Sequence, residues 1–365
     1  MHFGLKAVSL LVVEALFLQQ VEASIGDNLK DFRDCLKLCD IVTCNGRTNY
    51  QDVSDASYDL MMKDQKETNR FATLPLAWNL RLLGWECYPN CDYQCQRFVT
   101  ADRKQRGEAI VQFHGKWPFE RVFGIQELFS TLFSIGNFFP HYWGFKLMWT
   151  HYKAERSIHG NPEAASIYWA YGITGLVASF AWVFSTLFHL RDTWTRERLD
   201  YYFAGMTVIS GLYCVGTRYF KLYLTRNKIK RLTFGLLIIT MYVCHVMKLL
   251  DDWSYTYNMR ANVVVGVTED LLWFLHAIRT FRQHRQSGNL FDDLKNKTVN
   301  WTLTPIILVV SVSLGMTFEL FDFPPILDLL DAHATWHFCT IWPALYWYPY
   351  MVRDVEQGVK DTKFE

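Results

Sequence analysis

The chain has 365 residues, of which 50% are hydrophobic and 16% aromatic, and its 37 basic and 36 acidic residues leave a formal charge of +1. This composition excludes an intrinsically disordered chain, which has few apolar residues and a large net charge. It also argues against a nucleic-acid-binding protein, which needs a basic excess to bind phosphates.

Residues 1–23 are typical of a secretory signal peptide. Lys6 is followed by an apolar stretch and then by Val21 and Ala23, small residues at the spacing of a signal-peptidase site. Glu14 interrupts the apolar stretch. An uncleaved membrane anchor is the alternative, but the stretch is short for a span of ~20 residues. We therefore predict a cleaved signal and a mature chain that begins in the oxidising lumen.

Residues 24–118 are predicted to form a cysteine-rich lumenal domain. This polar segment holds six of the nine cysteines, namely Cys35, Cys39, Cys44, Cys87, Cys91 and Cys95. The even number predicts up to three disulfides, and the sequence leaves all 15 pairings of six cysteines open. A zinc site is the alternative, although structural zinc sites more often use C-x2-C pairs. The domain could recognise a substrate or partner, or simply cover the membrane part.

Residues 119–351 alternate long apolar runs with short charged loops, which predicts an all-α membrane protein with a seven-transmembrane helix bundle. The predicted spans are about residues 122–144, 166–189, 199–220, 231–250, 260–280, 301–321 and 332–351. Basic residues concentrate in the loops after spans one, three and five and in the tail, residues 352–365, which predicts that these parts are cytoplasmic. The glycosylation motifs at Asn296 and Asn300 then face the cytoplasm and should be unmodified.

Ionisable residues inside spans are costly and mark candidate functional sites. Ser185 and His189 are four residues apart at the end of span two, and Asp200 begins span three. His333 and His337 are four apart at the start of span seven. Residues four apart lie on one face of a helix. The predicted topology brings all these positions to the lumenal side of the membrane.

Three neutral imidazoles with an open fourth position are typical of a catalytic zinc site, in which zinc lowers the pKa of a bound water toward ~7. We interpret His189, His333 and His337 as metal ligands, Asp200 as the group that accepts the proton of the water, and Ser185 as a hydrogen-bond donor to the water or the oxyanion. The alternative is an interfacial histidine pair without a metal. The third histidine, the serine and the aspartate favour a hydrolase that acts at the lipid–water boundary.

These motifs resemble the CREST superfamily of membrane hydrolases, which includes alkaline ceramidases and the adiponectin and progestin receptor family. The motifs GWEC at residues 84–87, CDYQC at 91–95 and QFHGKWPF at 112–119 are similar to one branch of it, the PER-like proteins. That branch contains post-attachment remodelling factors for GPI-anchored proteins. The resemblance runs from about residue 35 to the end of span seven.

The resemblance implies removal of the unsaturated sn-2 acyl chain from the lipid of GPI-anchored proteins, a phospholipase A2-type reaction in the Golgi or the endoplasmic reticulum. It implies zinc at His189, His333 and His337, with Ser185 and Asp200 as polar helpers. Glu127 stands where ceramidase relatives have an acidic residue linked to calcium, but the acidic cluster before it is missing, so we interpret Glu127 as a buried structural carboxylate. A seven-span receptor and a non-catalytic GPI-protein-binding factor remain alternatives. The sequence leaves the oligomeric state open.

Overall fold

A computed structural model of the chain describes residues 24–44, 71–72, 74–285, 292 and 300–360. The predicted signal peptide lies outside the described residues. Within them the chain is helical, and it forms isolated β-bridges but no β-strand. We number the helices in chain order, and the list is α1 Lys30–Thr43, α2 Trp78–Leu82, α3 Cys87–Gln105, α4 Leu128–Ser157, α5 Pro162–Leu190, α6 Trp194–Tyr219, α7 Lys228–Asp251, α8 Tyr255–His284, α9 Thr304–Phe321 and α10 Ala332–Val355.

Helices α1 and α3 form a cross-linked pair in the N-terminal region. Three disulfides connect them, and the first cysteine pairs with the last: Cys35–Cys95, Cys39–Cys91 and Cys44–Cys87. This nested order requires the two helices to run antiparallel. Cysteines four residues apart lie on one face of a helix, so the bonds form a ladder along a single contact. Phe32, Val99 and Phe113 complete a small core around the sulfurs.

Seven long helices follow, and four stretches among the described residues are long and apolar enough to cross a membrane: Pro162–Leu190, Thr225–Asp251, Tyr255–His284 and Trp301–Phe321. The protein is therefore a mostly helical membrane protein with a disulfide-linked N-terminal region. Large apolar side chains such as Leu236, Val264 and Ile307 are exposed on α7, α8 and α9, as expected for surfaces that face lipid.

The helix ends that carry the predicted site are set by caps. The side chain of Thr193 caps α6 by accepting from the amide of Arg196. Asp331 caps α10, because its Oδ1 accepts from the amide of Ala334 at 2.8 Å. The helix therefore begins at Ala332, directly before His333. Such caps satisfy amides that have no partner inside the helix.

Helix α4 packs along α5 and α10, and α5 packs along α6. At Gly144 of α4 the contact with α10 is so close that an added Cβ atom would lie 2.3 Å from the ring of Tyr348. Only glycine permits this approach. Two helices cover different residues from the spans predicted for them. The helix at the position of the first predicted span begins at Leu128, because residues 122–125 form a tight turn with positive φ at Phe123 and Gly124. Helix α10 continues beyond residue 351 to Val355, and a π-helical turn extends from Glu356 to Lys360.

Candidate metal centre

The three predicted ligands converge at one end of the bundle. His189 lies in the last turn of α5, and His333 and His337 lie one turn apart at the start of α10. The ring centroids are 5.2 Å apart for His189 and His333, 5.1 Å for His189 and His337, and 4.4 Å for His333 and His337. One nitrogen of each ring can be chosen so that all three lie within 4.8 Å of one another. The cluster is thus compact enough to bind a single metal ion.

A second group of residues fixes the orientation of the three rings. Each Nδ1 has a hydrogen-bond partner: Oε2 of Glu127 at 2.6 Å for His189, Oε2 of Glu319 at 2.6 Å for His333, and Oγ of Ser134 at 3.0 Å for His337. A carboxylate can only accept, so Nδ1 of His189 and of His333 carries the proton. In the neutral ring, Nε2 then offers a lone pair to a metal.

Nε2 of His189 tests whether the cluster fits a metal. This atom is buried and has no hydrogen-bond partner among the described residues. A buried polar atom without a partner costs free energy, and native structures rarely leave one. A metal ion between the three imidazoles would satisfy it. A site of three imidazoles suits zinc and related transition metals rather than calcium or magnesium, which prefer oxygen ligands.

The predicted polar helpers lie beside the cluster. Oγ of Ser185 is 3.0 Å from Oγ of Ser134, which in turn contacts Nδ1 of His337. The carboxyl group of Asp200 lies close to the hydroxyl of Ser185 and to the imidazole of His333. All five residues predicted for the site are therefore brought together at one end of the bundle. The edge of Trp182 packs on His337, with ring centroids 5.2 Å apart, and lines the same region.

Sequence reasoning missed three residues of this network: Ser134, Glu319 and Lys116. Glu319 is an ionisable residue near the end of an apolar helix, and this position alone could have marked it. Its other oxygen accepts from the hydroxyl of Tyr255 at 2.9 Å. A serine within an apolar helix has no such signal, because its hydroxyl can bond to its own helix, as Ser134 does to the carbonyl of Ser130.

Glu127 is buried, as expected, but it contacts the cluster directly. One of its oxygens accepts from Nδ1 of His189, and the other accepts from Nζ of Lys116 at 2.9 Å. Its backbone amide also donates to the carbonyl of His189 at 3.1 Å. Both carboxylate oxygens thus have protein partners. This arrangement favours support of a metal ligand over calcium binding.

A second group of possible ligands consists of Cys44, Cys87 and Cys91. All three sulfurs are in disulfides, so they are not available as thiolate ligands. The zinc alternative for the cysteine-rich region is therefore wrong in this structure.

Comparison with known proteins agrees with this architecture. The Per1-like family matches residues 77–355. Protein PER1 of Saccharomyces cerevisiae is 36% identical over 92% of this chain and 93% of its own length, and the PER1 homolog of Schizosaccharomyces pombe is 35% identical over 95% and 92%. The GPI-specific phospholipase A2-like PGAP3 of Xenopus tropicalis is 32% identical over 88% and 87%. No solved structure gives a significant match. The resemblance seen in the sequence is confirmed, and the chain belongs to the Per1-like family.

Proposed function

We propose that this protein is a zinc-dependent acyl-ester hydrolase of the phospholipase A2 type. In this proposal it removes the unsaturated sn-2 fatty acid from the lipid of GPI-anchored proteins during fatty-acid remodelling. The observation that carries the proposal is the cluster of three imidazoles. A neighbouring side chain holds each Nδ1, and the buried Nε2 of His189 has no hydrogen-bond partner among the described residues. The names of the PGAP3 relatives support the substrate class.

His189, His333 and His337 would hold the metal. When bound, zinc supplies Lewis-acid chemistry that activates water and polarises an ester carbonyl. Asp200 accepts the proton of the attacking water, and the hydroxyl of Ser185 donates a hydrogen bond to the oxyanion that forms on the carbonyl oxygen. The bond between the acyl carbon and the sn-2 oxygen then breaks. Asp200 returns its proton to that oxygen, and the fatty acid and a lysolipid leave.

We further propose that α4 to α10 all cross the membrane, with the end that carries the metal centre on the lumenal side. The connections between successive helices from α4 to α8 are short, and they support this topology because each of these helices must return across the bundle. The disulfides support an oxidising lumen next to the site. The proposed location is the Golgi membrane, with the endoplasmic reticulum as the alternative. A cleaved signal at residues 1–23 and a cytoplasmic C-terminus complete the proposal.

Replacement of a ligand tests the proposed function. In cells that lack the endogenous protein, His333→Ala and His337→Ala should leave GPI anchors with an unsaturated sn-2 chain, measured by lipid mass spectrometry. His159→Ala is the matched control, because His159 is exposed in the loop between α4 and α5. Purified wild-type protein should contain one zinc per chain, and the His189→Ala variant should lose it. Normal remodelling by a folded His333→Ala variant would contradict the mechanism and would favour a receptor or a non-catalytic binding factor.

A further inference from the structure

Lys116 lies outside the helix bundle, yet its side chain reaches Glu127, the residue that holds Nδ1 of the proposed ligand His189. Its Nζ is 2.9 Å from Oε1 of Glu127 and 3.0 Å from Oδ2 of Asp192. It also lies 3.7 Å from the centroid of the ring of Phe188, the residue before His189. The ammonium group therefore has two carboxylates and an aromatic face as partners, and its side chain is only 25% exposed.

The backbone presents this lysine from a rigid turn. The amide of Phe113 and the carbonyl of Lys116 are hydrogen-bonded at 2.8 Å, and so are the amide of Lys116 and the carbonyl of Phe113. His114 and Gly115, between them, have positive φ values of 50° and 77°. The N-terminal region holds the turn, since Oδ1 of Asp27 accepts from the amide of His114 at 2.8 Å.

Lys116 supplies the counter-charge of Glu127. The side chain of Glu127 is only 4% exposed, and a buried charge needs an opposite charge and hydrogen bonds within the protein. Burial by itself lowers the pKa of Lys116, but the carboxylates of Asp192 and Glu127 outweigh this effect and raise its pKa above the ordinary value. Lys116 is thus a cation at neutral pH. The charge-assisted hydrogen bond from Lys116 fixes the carboxylate of Glu127, and that carboxylate in turn holds Nδ1 of His189 and orients the imidazole.

We propose that Lys116 is a positioning residue of the metal centre. Its ammonium fixes the carboxylate of Glu127 in the orientation that aims it at Nδ1 of His189, and it makes the turn at residues 113–116 a functional part of a site otherwise built by helices. The lysine itself supplies the positive charge between the carboxylates of Glu127 and Asp192. This inference rests on the proposed zinc site but not on the identity of the lipid substrate.

The test measures zinc affinity by competition with a chromogenic chelator on the purified full-length protein. Lys116→Met keeps the length of the side chain and removes its charge. We expect a zinc dissociation constant about 10-fold higher than in the wild type, at the low end of the effect of lost ligand support. Lys248→Met is the matched control, because Lys248 pairs with Asp252 at 2.9 Å and its side chain is 45% exposed. The control should stay within about twofold of the wild type.

A double-mutant cycle separates this role from a general effect on structure. If Lys116 acts through Glu127, the change Lys116→Met should weaken zinc binding by less than about twofold further in a Glu127→Gln background. Lys116→Arg retains the charge and should bind zinc more tightly than Lys116→Met. Should Lys116→Met fail to accumulate as a monodisperse, disulfide-bonded protein, Lys116→Gln replaces it, since it removes the charge but keeps a hydrogen-bond donor.

The outcomes separate this inference from the proposed function. A folded Lys116→Met variant with wild-type zinc affinity would overturn the inference and leave the proposed function intact. If the effects of Lys116→Met and Glu127→Gln on the zinc dissociation constant multiply in the double variant, the lysine does not act through Glu127. That result would also overturn the inference. A wild-type protein that binds no zinc would overturn the proposed function, and the inference with it.

Discussion

At the scale of single residues, each imidazole of the cluster has a side-chain partner at Nδ1. Two carboxylates and a hydroxyl hold the Nδ1 atoms. Support of this kind orients a ligand and raises its basicity, so it contributes to metal affinity without contact with the metal. The residues that hold the ligands should therefore be almost as sensitive to substitution as the ligands are.

Glu319 provides a direct test. Glu319→Gln keeps an acceptor for Nδ1 of His333 but removes the negative charge, so we expect zinc binding to weaken about 10-fold or more. Equilibrium competition with a chelator measures this. Glu120→Gln is the control, because the side chain of Glu120 is 53% exposed and pairs with Arg97. Unchanged zinc affinity in a folded Glu319→Gln protein would mean that this carboxylate does not support the site.

The charges around Glu127 predict independence from calcium. Both oxygens of Glu127 have protein donors, and the ammonium of Lys116 lies between Glu127 and Asp192. A calcium ion would have to displace that ammonium. We expect a calcium-selective chelator to leave ester hydrolysis and the midpoint of thermal unfolding unchanged, while a zinc chelator abolishes hydrolysis. Loss of activity on calcium removal, restored by added calcium, would contradict this arrangement.

At the scale of helices and loops, the sequence predicts the ligand set but not its support. Ser185, His189, His333 and His337 follow from four-residue spacing and from the alternation of spans. The position of Lys116 does not, because it depends on a turn in the N-terminal region that reaches back to the end of α5. Nor does the disulfide pairing, since the spacing of the cysteines is nearly symmetrical and only the antiparallel packing of α1 and α3 selects one order.

A loop before α10 connects the N-terminal region with the ligand helix. Asp328 accepts from Nη2 of Arg97 at 2.8 Å and from Nζ of Lys104 at 2.6 Å, and its carbonyl accepts from the amide of Glu120 at 2.8 Å. Nε1 of Trp117 donates to Oδ1 of Asp322 at 2.9 Å. These contacts hold the loop against the segment that contains the turn of Lys116.

Removal of the Asp328 carboxylate should weaken this connection. Asp328→Ala leaves Arg97 and Lys104 without this partner, and we expect a loss of about 1–2 kcal/mol after allowance for solvent screening. The loss should appear as a lower midpoint of thermal unfolding in detergent. Asp251→Ala, at the exposed end of α7, serves as the control. Equal midpoints for the two variants would show that the loop does not depend on these ion pairs.

At the scale of the whole molecule, orientation in the membrane decides which side the site serves. Basic residues concentrate around the connection between α6 and α7, at the end of the bundle opposite the candidate metal centre. The excess of positive charge on cytoplasmic loops predicts that this end faces the cytoplasm. The metal centre and the disulfides would then lie on the lumenal side.

Glycosylation can test that orientation. Asn296 and Asn300 lie in motifs between α8 and α9, at the end predicted to be cytoplasmic, so treatment with an endoglycosidase should not change the mobility of the protein from cells. A new motif made by Glu108→Asn with Ile110→Thr, beside the exposed end of α3, should be glycosylated. A glycan at Asn296 or Asn300 would place this end of the bundle in the lumen and would contradict the proposed topology.

The nested disulfides also suggest an order of biogenesis. All six bonded cysteines precede α4, and the N-terminal part of a chain leaves the ribosome first. Oxidation of the N-terminal region can therefore be complete before His333 and His337 are synthesised. The turn that carries Lys116 would already be folded when α10 is inserted into the membrane, and metal binding would be the last step of maturation.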